Sequence, residues 1–491
     1  MKKLLNVQYL PYFNLLKYCS KRPSTETTKD ISIKTNLDRR ILVKIIEQLQ
    51  TDIINNNWFD VLNLELIDSE LTVTCGPLFS LDFFYSHYMS KSFCVELTLQ
   101  LFQHQSATVD EFLDYFYISQ ATFYRRIAPL RQVLAEFNLE LNFINKKNII
   151  QGDEKQIRHF FFTFFWEIFN SIPTKLNSLS TANEKELHSF TTTYNLPIPL
   201  AEIITIHLTI ALTRIKQGFY LREFPPYSLL RVYISRADFN KQFEKFFDTK
   251  KLMPEYLEAE LNWLFFLLVT GTLYPPTPEK DLELQRIDWF APSLVFSQKW
   301  IAYYKYFFGY SLSNADYFYL LLNLYLIQLK SQVLIGDSLA FSISTVEELL
   351  PDTPYTLDQI NRFFDFLDQK EAEFHLTSFQ RVTYARLIRR IISKSRPALQ
   401  ILVCSKVGKE ETEWMNEFIQ KISPIPLTIH SIWTSDLDLI ISDYSIRDSL
   451  IPDDLTHYFL CSSFSGFDEW PALLNRIEEL YYTKTTSPKI K

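Results

Sequence analysis

Eight glycines in a chain of 491 residues, set against 42 phenylalanines and 27 tyrosines, constrain the fold class before any motif is read. Glycine makes tight left-handed turns without steric cost, so a turn-dense all-β chain, or one built on glycine-lined cofactor loops, needs far more of it. Bulky rings suit packing between helices. The expected class is therefore mainly α. Because the length exceeds the roughly 250–300 residues at which one core stops growing, about three to five domains are expected.

Two N-terminal segments share one order of elements: a helix, a short helix, a polar break, a longer helix with basic residues, and a two-strand wing. In the first, residues 9–20 read as the opening helix, 25–31 as the short one and 37–53 as the recognition helix. Residues 62–66 and 71–74, separated by Asp68, Ser69 and Glu70, read as a hairpin. The second copy spans 92–152. Val109, Phe112, Leu113 and Phe116 form one apolar stripe, and Ser119 caps the next helix. In that helix Phe123, Ile127, Leu130 and Leu134 face the core, and Pro129 is expected to kink it. Residues 139–144 and 148–151 supply its wing.

A helix-turn-helix reads DNA because its second helix fits the major groove, with N-terminal side chains at base edges and flanking cations on phosphates. Arg39, Arg40 and Lys44 occupy such positions in the first copy. In the second, Thr122, Tyr124 and Arg125 are the groove candidates, and Arg126, Lys146 and Lys147 the backbone candidates. One such arrangement alone more often marks a solvated helix face; two in tandem, each with a wing, reverse that and favour DNA. The net charge of −7 excludes a uniformly basic binding protein, yet residues 1–44 hold ten Lys and Arg against three Asp and Glu.

From 153 to about 395 the pattern is almost wholly helical and divides near 275–292. After Pro397 it changes: 399–403, 427–433, 437–442 and 457–462 read as strands, and 411–422 and 468–482 as helices, giving a small α/β domain. Cys19, Cys75, Cys94, Cys404 and Cys461 are odd in number and show no CxxC spacing, which fits reduced thiols in a cytoplasmic protein. The start of the chain lacks a signal peptide's apolar core, and the apolar runs 160–169 and 261–273 fall short of a membrane span of about 18 residues. His87, His104, His159, His188, His375, His430 and His457 show no metal-ligand spacing, and no HExxH, GxSxG or Walker loop is present. Neither an enzyme nor a bound cofactor or metal is expected.

The segment 108–158, with VDEFLDYFYISQATFYRRIAPLRQVLAEFNLEL and then QGDEKQIRHFF, resembles the second winged helix of the Mga/AtxA-type virulence regulators of Gram-positive bacteria and its exit into the next domain. The resemblance runs along essentially the whole chain. It implies two winged helix-turn-helix domains (1–76 and 77–152), two all-helical domains like phosphotransferase-system regulation domains, or PRDs (153–284 and 285–396), and an EIIB-like α/β domain (397–491). It also implies promoter DNA as a partner, a homodimer, and tuning by a phosphotransferase-system phosphocarrier.

Under that resemblance AEIITIHLTIALTRIKQG (201–218) looks like the phosphorylatable helix of a regulation domain, with His207 as phosphoacceptor and Arg214, two turns on, placed to offset the added charge. The other reading is a core-facing histidine among Ile204, Ile206, Leu208 and Ile210. In the second such domain Asn323, or Tyr325 if the register slips, replaces the histidine, and Lys330 replaces the arginine. Cys404 lies where EIIB subunits carry a phosphocysteine, but Glu410, Glu411 and Glu413 at the next helix start would repel a phosphate. A structural cysteine is the competing reading. A rival to the regulator is accordingly a phosphotransfer protein that relays phosphate through His207 and Cys404.

Overall fold

Capping side chains set most helix starts in the N-terminal region. The computed structural model describes residues 1–20, 25–103, 108–143, 149–169, 172–173, 179–225, 234–248, 252–271, 273–274, 291–309, 311–336, 346–349, 354–371, 374, 376–394, 398–423, 425–446, 457–461 and 469–486. The chain divides into two units: Met1–Tyr306, Ser311–Glu348 and Thr377–Val382 form one, and Phe307–Tyr310, Leu349–Leu376 and Thr383–Lys491 the other. The chain is mainly helical with a few small sheets.

The first unit begins with α1 (Leu10–Cys19), β1 (Thr25–Thr27), α2 (Thr28–Thr35), α3 (Arg39–Asn56), β2 (Leu62–Ile67) and β3 (Glu70–Cys75). The sequence places a helix at 25–31, whereas its first three residues form a strand. Thr25, Glu26 and Thr27 pair antiparallel with Thr72, Leu71 and Glu70, so the wing has three strands in the order β1-β3-β2. The Thr27 hydroxyl accepts from the Asp30 N–H and fixes the true start of α2. Asp38 does the same for α3, accepting from the Arg40 and Ile41 N–H groups. The hairpin turns on Asp68 and Ser69, both at positive φ, as a two-residue turn between right-twisted strands requires.

Next come α4 (Leu81–Ser90), α5 (Phe93–Gln103), α6 (Val109–Phe116), α7 (Gln120–Arg126), α8 (Ala128–Glu136), β4 (Glu140–Leu141) and β5 (Ile150–Gln151). Thr108 and Glu111 form a reciprocal capping box at α6. The expected kink is a full break: α7 ends at Arg126 and α8 begins at Ala128, with Pro129 in its first turn. A proline has no N–H for the carbonyl four residues back and its ring clashes with it, so one continuous helix is lost. Tyr88 of α4 ties the two segments together: its hydroxyl donates to the buried Asp52 carboxylate of α3 at 2.8 Å, and its ring stacks on Tyr9 at 4.6 Å.

Helix α9 (Glu154–Phe169) carries the chain out of this region and is buried at every position from Gln156 to Phe165. Its rings pack on several neighbours, with Phe161 and Phe165 against Phe102, and Phe160 against Phe137. The unit continues through α10 (Thr181–Thr193), α11 (Ile198–Lys216), α12 (Arg236–Phe243), α13 (Pro254–Thr270), α14 (Ala291–Phe308), α15 (Asn314–Val333) and α16 (Val346–Leu349). By length and composition α11 is apolar enough to cross a membrane, though sequence reading singled out other runs. Here it lies against α9 and α13 in the core.

A buried charge network joins these helices. Arg158 of α9 donates to both oxygens of Glu260 on α13, and Arg214 of α11 donates to both oxygens of Glu154 at 2.9 and 2.6 Å. Arg158 also bonds Glu154 at 2.9 Å. Glu260 further accepts from the Leu221 N–H. Burial alone would raise the Glu154 carboxyl, but the two guanidinium groups hold it below the usual carboxylate range.

In the second unit α17 (Pro354–Asp368) and most of α18 (Ser378–Lys394) precede β6 (Leu399–Cys404), α19 (Lys409–Ile422), β7 (Leu427–His430), β8 (Leu439–Ser442), β9 (Tyr458–Leu460) and α20 (Trp470–Thr486). The four strands are parallel in the order β7-β6-β8-β9. Leu399, Ile401 and Val403 pack with Met415, Ile419 and Ile477 on one face.

Replacing Glu260 by alanine would leave Arg158 charged in the core without its main partner. A cost of about 3–5 kcal/mol is expected. Chemical denaturation measures it, and a loss below about 1 kcal/mol would show that the network does not hold these helices together.

Candidate nucleic-acid interface

In the first of the two N-terminal segments the three candidate cations are all exposed near the start of α3, yet they differ in freedom. Arg39 is tethered: its Nε donates to Thr28 Oγ1 at 3.2 Å and an Nη to Ser69 Oγ at 3.1 Å, linking α3 to α2 and to the wing turn. Arg40 and Lys44 project from the same helix without such ties among the described residues. Their carrier is fixed by buried Leu42, Ile45, Ile46 and Leu49 on the opposite face.

In the second, Phe123 is fully buried while Tyr124, Arg125 and Arg126 stay exposed. Ser119 caps α7 through the Thr122 N–H, and its hydroxyl donates to Thr122 Oγ1 at 3.0 Å. Thr122 therefore helps to start the helix. Arg131 lies over the Tyr124 ring at 5.7 Å, and Arg126 over Phe93 at 5.6 Å. Arg125 makes no hydrogen bond or ion pair among the described residues and is the least committed cation of the helix. Lys146 and Lys147 lie outside the described residues.

Residues 77–165 match the family model of the Mga helix-turn-helix domain. This part of the chain is an Mga helix-turn-helix domain. The match supports membership of the Mga family of regulators and, with it, a DNA-binding transcription regulator. No curated protein matches the chain.

The Mga domain runs from α4 to the middle of α9, so it includes the buried helix as well as the exposed one. Beside α7 it opens onto a cleft of about 810 Å³ shared with the N-terminal residues. Lys3, Lys91, Arg125 and Arg126 line it, against the single carboxylate of Glu96. Sequence reasoning named Arg125 and Arg126 but missed Lys91, which lies between α4 and α5 outside any helix-turn-helix position.

The regulatory candidates are placed differently. His207 is buried in α11 and stacks on Phe162 of the Mga domain, ring centroids 4.0 Å apart. Arg214 is engaged elsewhere through Nε and one Nη, bonded to Glu154 and lying 4.0 Å over the Phe219 ring. The cation acting on His207 is instead Lys330 of α15. Burial first, then Lys330, then His159 drive the His207 imidazole well below its ordinary range. His159, between the Phe137 ring and the Gly336 carbonyl, is pushed down to about 3 by burial and then Lys330. Lys330 itself is pushed down to about 8 by burial. Asn323 bonds the backbone of Tyr274 through both amide atoms, and the Tyr325 ring is buried.

Cys404 is half-buried at the end of β6, and its thiol is raised by burial and by Asp443. The loop beyond it holds an internal anion: Asp443 accepts from Ser405 Oγ at 2.9 Å and from the Lys406 N–H at 2.7 Å. Both residues follow adjacent strands at the point where the parallel sheet reverses its order, where α/β folds usually place ligands. Among the described residues no group of three or more His, Cys, Asp or Glu is placed to hold a metal ion.

The two buried histidines couple stability to pH. Their native pKa values lie below the unfolded value of about 6.5, so the unfolded chain binds more protons and stability falls as pH drops from about 6.5 toward about 3. Thermal unfolding at about pH 7.5 and about pH 5.5 should show a smaller acid loss for the variant His159→Gln/His207→Gln than for the native chain. Equal losses would contradict the assignment.

Proposed function

We propose that this chain is a promoter-binding transcription regulator in which α7, and in parallel α3, enter the major groove. Arg125 carries the reading: an exposed, uncommitted arginine on a short helix whose opposite face is locked by Phe123, inside the segment that matches the Mga domain. Thr122, Tyr124 and Arg40 accompany it at the groove. Arg126, Lys44, Lys146 and Lys147 serve the phosphates, and Arg39 holds the wing against α3 more than it reads bases.

The finer architecture belongs to the same proposal: winged helices at 1–76 and 77–152, PRD-like domains at 153–284 and 285–396, an EIIB-like domain at 397–491, and action in the cytoplasm. A phosphotransferase-system phosphocarrier would tune activity at His207, with Lys330 rather than Arg214 as the nearby cation. Burial of His207 means that this helix must first open. Homodimerisation through the C-terminal domain is supported by Trp414, Ile432 and Trp433, which are 48%, 74% and 37% exposed. A regulator is favoured over an enzyme and over the phosphate relay. In the relay Cys404 would need the loop that the Asp443 carboxylate now fills.

Mobility-shift titration of the full chain against duplexes that it selects from a random-sequence pool tests the proposal. Arg125→Ala should weaken the selected site by roughly ten- to a hundredfold, in line with one lost base contact. Lys44→Ala should weaken all duplexes more evenly, and affinity should fall steeply with salt. Unchanged binding by both variants would remove α3 and α7 from the interface.

A further inference from the structure

Seven described residues other than glycine have positive φ, and six of them are Asn, Asp or Ser: Asn36, Asn57, Asp68, Ser69, Asn138 and Asn195. Those short polar side chains tolerate the left-handed region because they bond locally. The seventh is Tyr117, at φ 52. A tyrosine gains no such local bond, and its Cβ crowds the backbone carbonyl.

The turn itself is required. Tyr117 ends α6 with its N–H donating to the Asp114 and Leu113 carbonyls, and the Ile118 N–H returns to Leu113 at 3.2 Å. The corresponding turn after α2 has the same form, with Asn36 at φ 54 bonded to Ile33 and Ser32, and Leu37 returning to Ser32. One helix-turn-helix thus uses a residue suited to the conformation and the other does not.

Among the described residues nothing offsets the difference. Tyr117 is 94% exposed, the highest value among the described large hydrophobic side chains, and makes no ring contact or hydrogen bond among the described residues. Its ring stands three positions before Gln120, the first residue of α7, and eight before Arg125. Strain held at an exposed position without a packing return points to a partner outside the chain.

We propose that Tyr117 is a DNA contact of the Mga domain, with its hydroxyl donating to a backbone phosphate beside the groove that α7 enters and its ring lying against the adjoining sugar. The exposed cations Arg125 and Arg126 of α7, the helix that this turn introduces, favour a polyanion as the occupant, against the carboxylates of Asp110, Glu111 and Asp114 on α6. This deepens the DNA-reading proposal and rests on it.

The test compares the full-length native chain, Tyr117→Gly, Tyr117→Asn and Arg125→Ala, using duplexes that the native chain selects from a random-sequence pool. Both Tyr117 variants should raise the thermal unfolding midpoint by about 1–3 °C, since either residue suits the turn. Both should also bind the selected duplex about ten- to a hundredfold more weakly, as expected for a lost charge-assisted hydrogen bond. Opposite signs in the two readouts separate a contact from a folding defect. If Arg125→Ala weakens binding while the Tyr117 variants bind like the native chain, the Tyr117 assignment falls and the DNA reading stands. If the native chain selects no duplex, both fall.

Discussion

The first unit depends on one buried helix. From Gln156 to Phe165 α9 has no face left for water, so its guanidinium and amide side chains depend on partners inside the protein. Arg158 finds Glu260 and Glu154, and Gln156 bonds the Val333 carbonyl and the Ile335 N–H beyond α15. These bonds fix the rotation of α9, because a turn of the helix in either direction would strand a guanidinium in the core. The phenylalanines that follow, from Phe160 to Phe165, then meet α5, the end of α8 and α11 at set positions.

That constraint reaches the surface. The match to the Mga domain ends within α9, so the helix that anchors the helical core also belongs to the DNA-binding module. Phe137, at the end of α8, touches His159 and Phe160 of α9, and its ring fills the space that a side chain on Gly336 would need, 2.5 Å from where that Cβ would stand. Gly336 follows α15, the helix that carries Lys330. The cationic helix α7 is therefore held, through α8 and α9, by the same contacts that enclose His207 and His159. A change in the charge or packing of that enclosure has a short physical route to the recognition element.

Local chemistry made much of this legible from sequence. Ser119 and the apolar stripe of α6 mark their elements within a few residues, so the second helix-turn-helix and its exposed cations follow directly. Features set by distant pairing did not. Thr25–Thr27 is a strand only because β3 offers it an edge some 45 residues later in the chain. Arg214 was assigned to His207 by helical spacing, but Glu154, 60 residues earlier, claims it. Lys330 reaches His207 from another helix, and Asp443 enters the Cys404 loop from the next strand but one. Tyr117 was passed over because a lone tyrosine carries no signal until its backbone conformation is known.

The central claim is that α3 and α7 face a duplex while α9 remains the fixed support behind them. Amide hydrogen exchange of the full chain, with and without a duplex that it has selected, tests this most directly. Exchange should slow in the first turns of α3 and across α7, while α9 stays as protected as before. Slowing confined to other segments, with α3 and α7 unchanged at saturating DNA, would contradict the account.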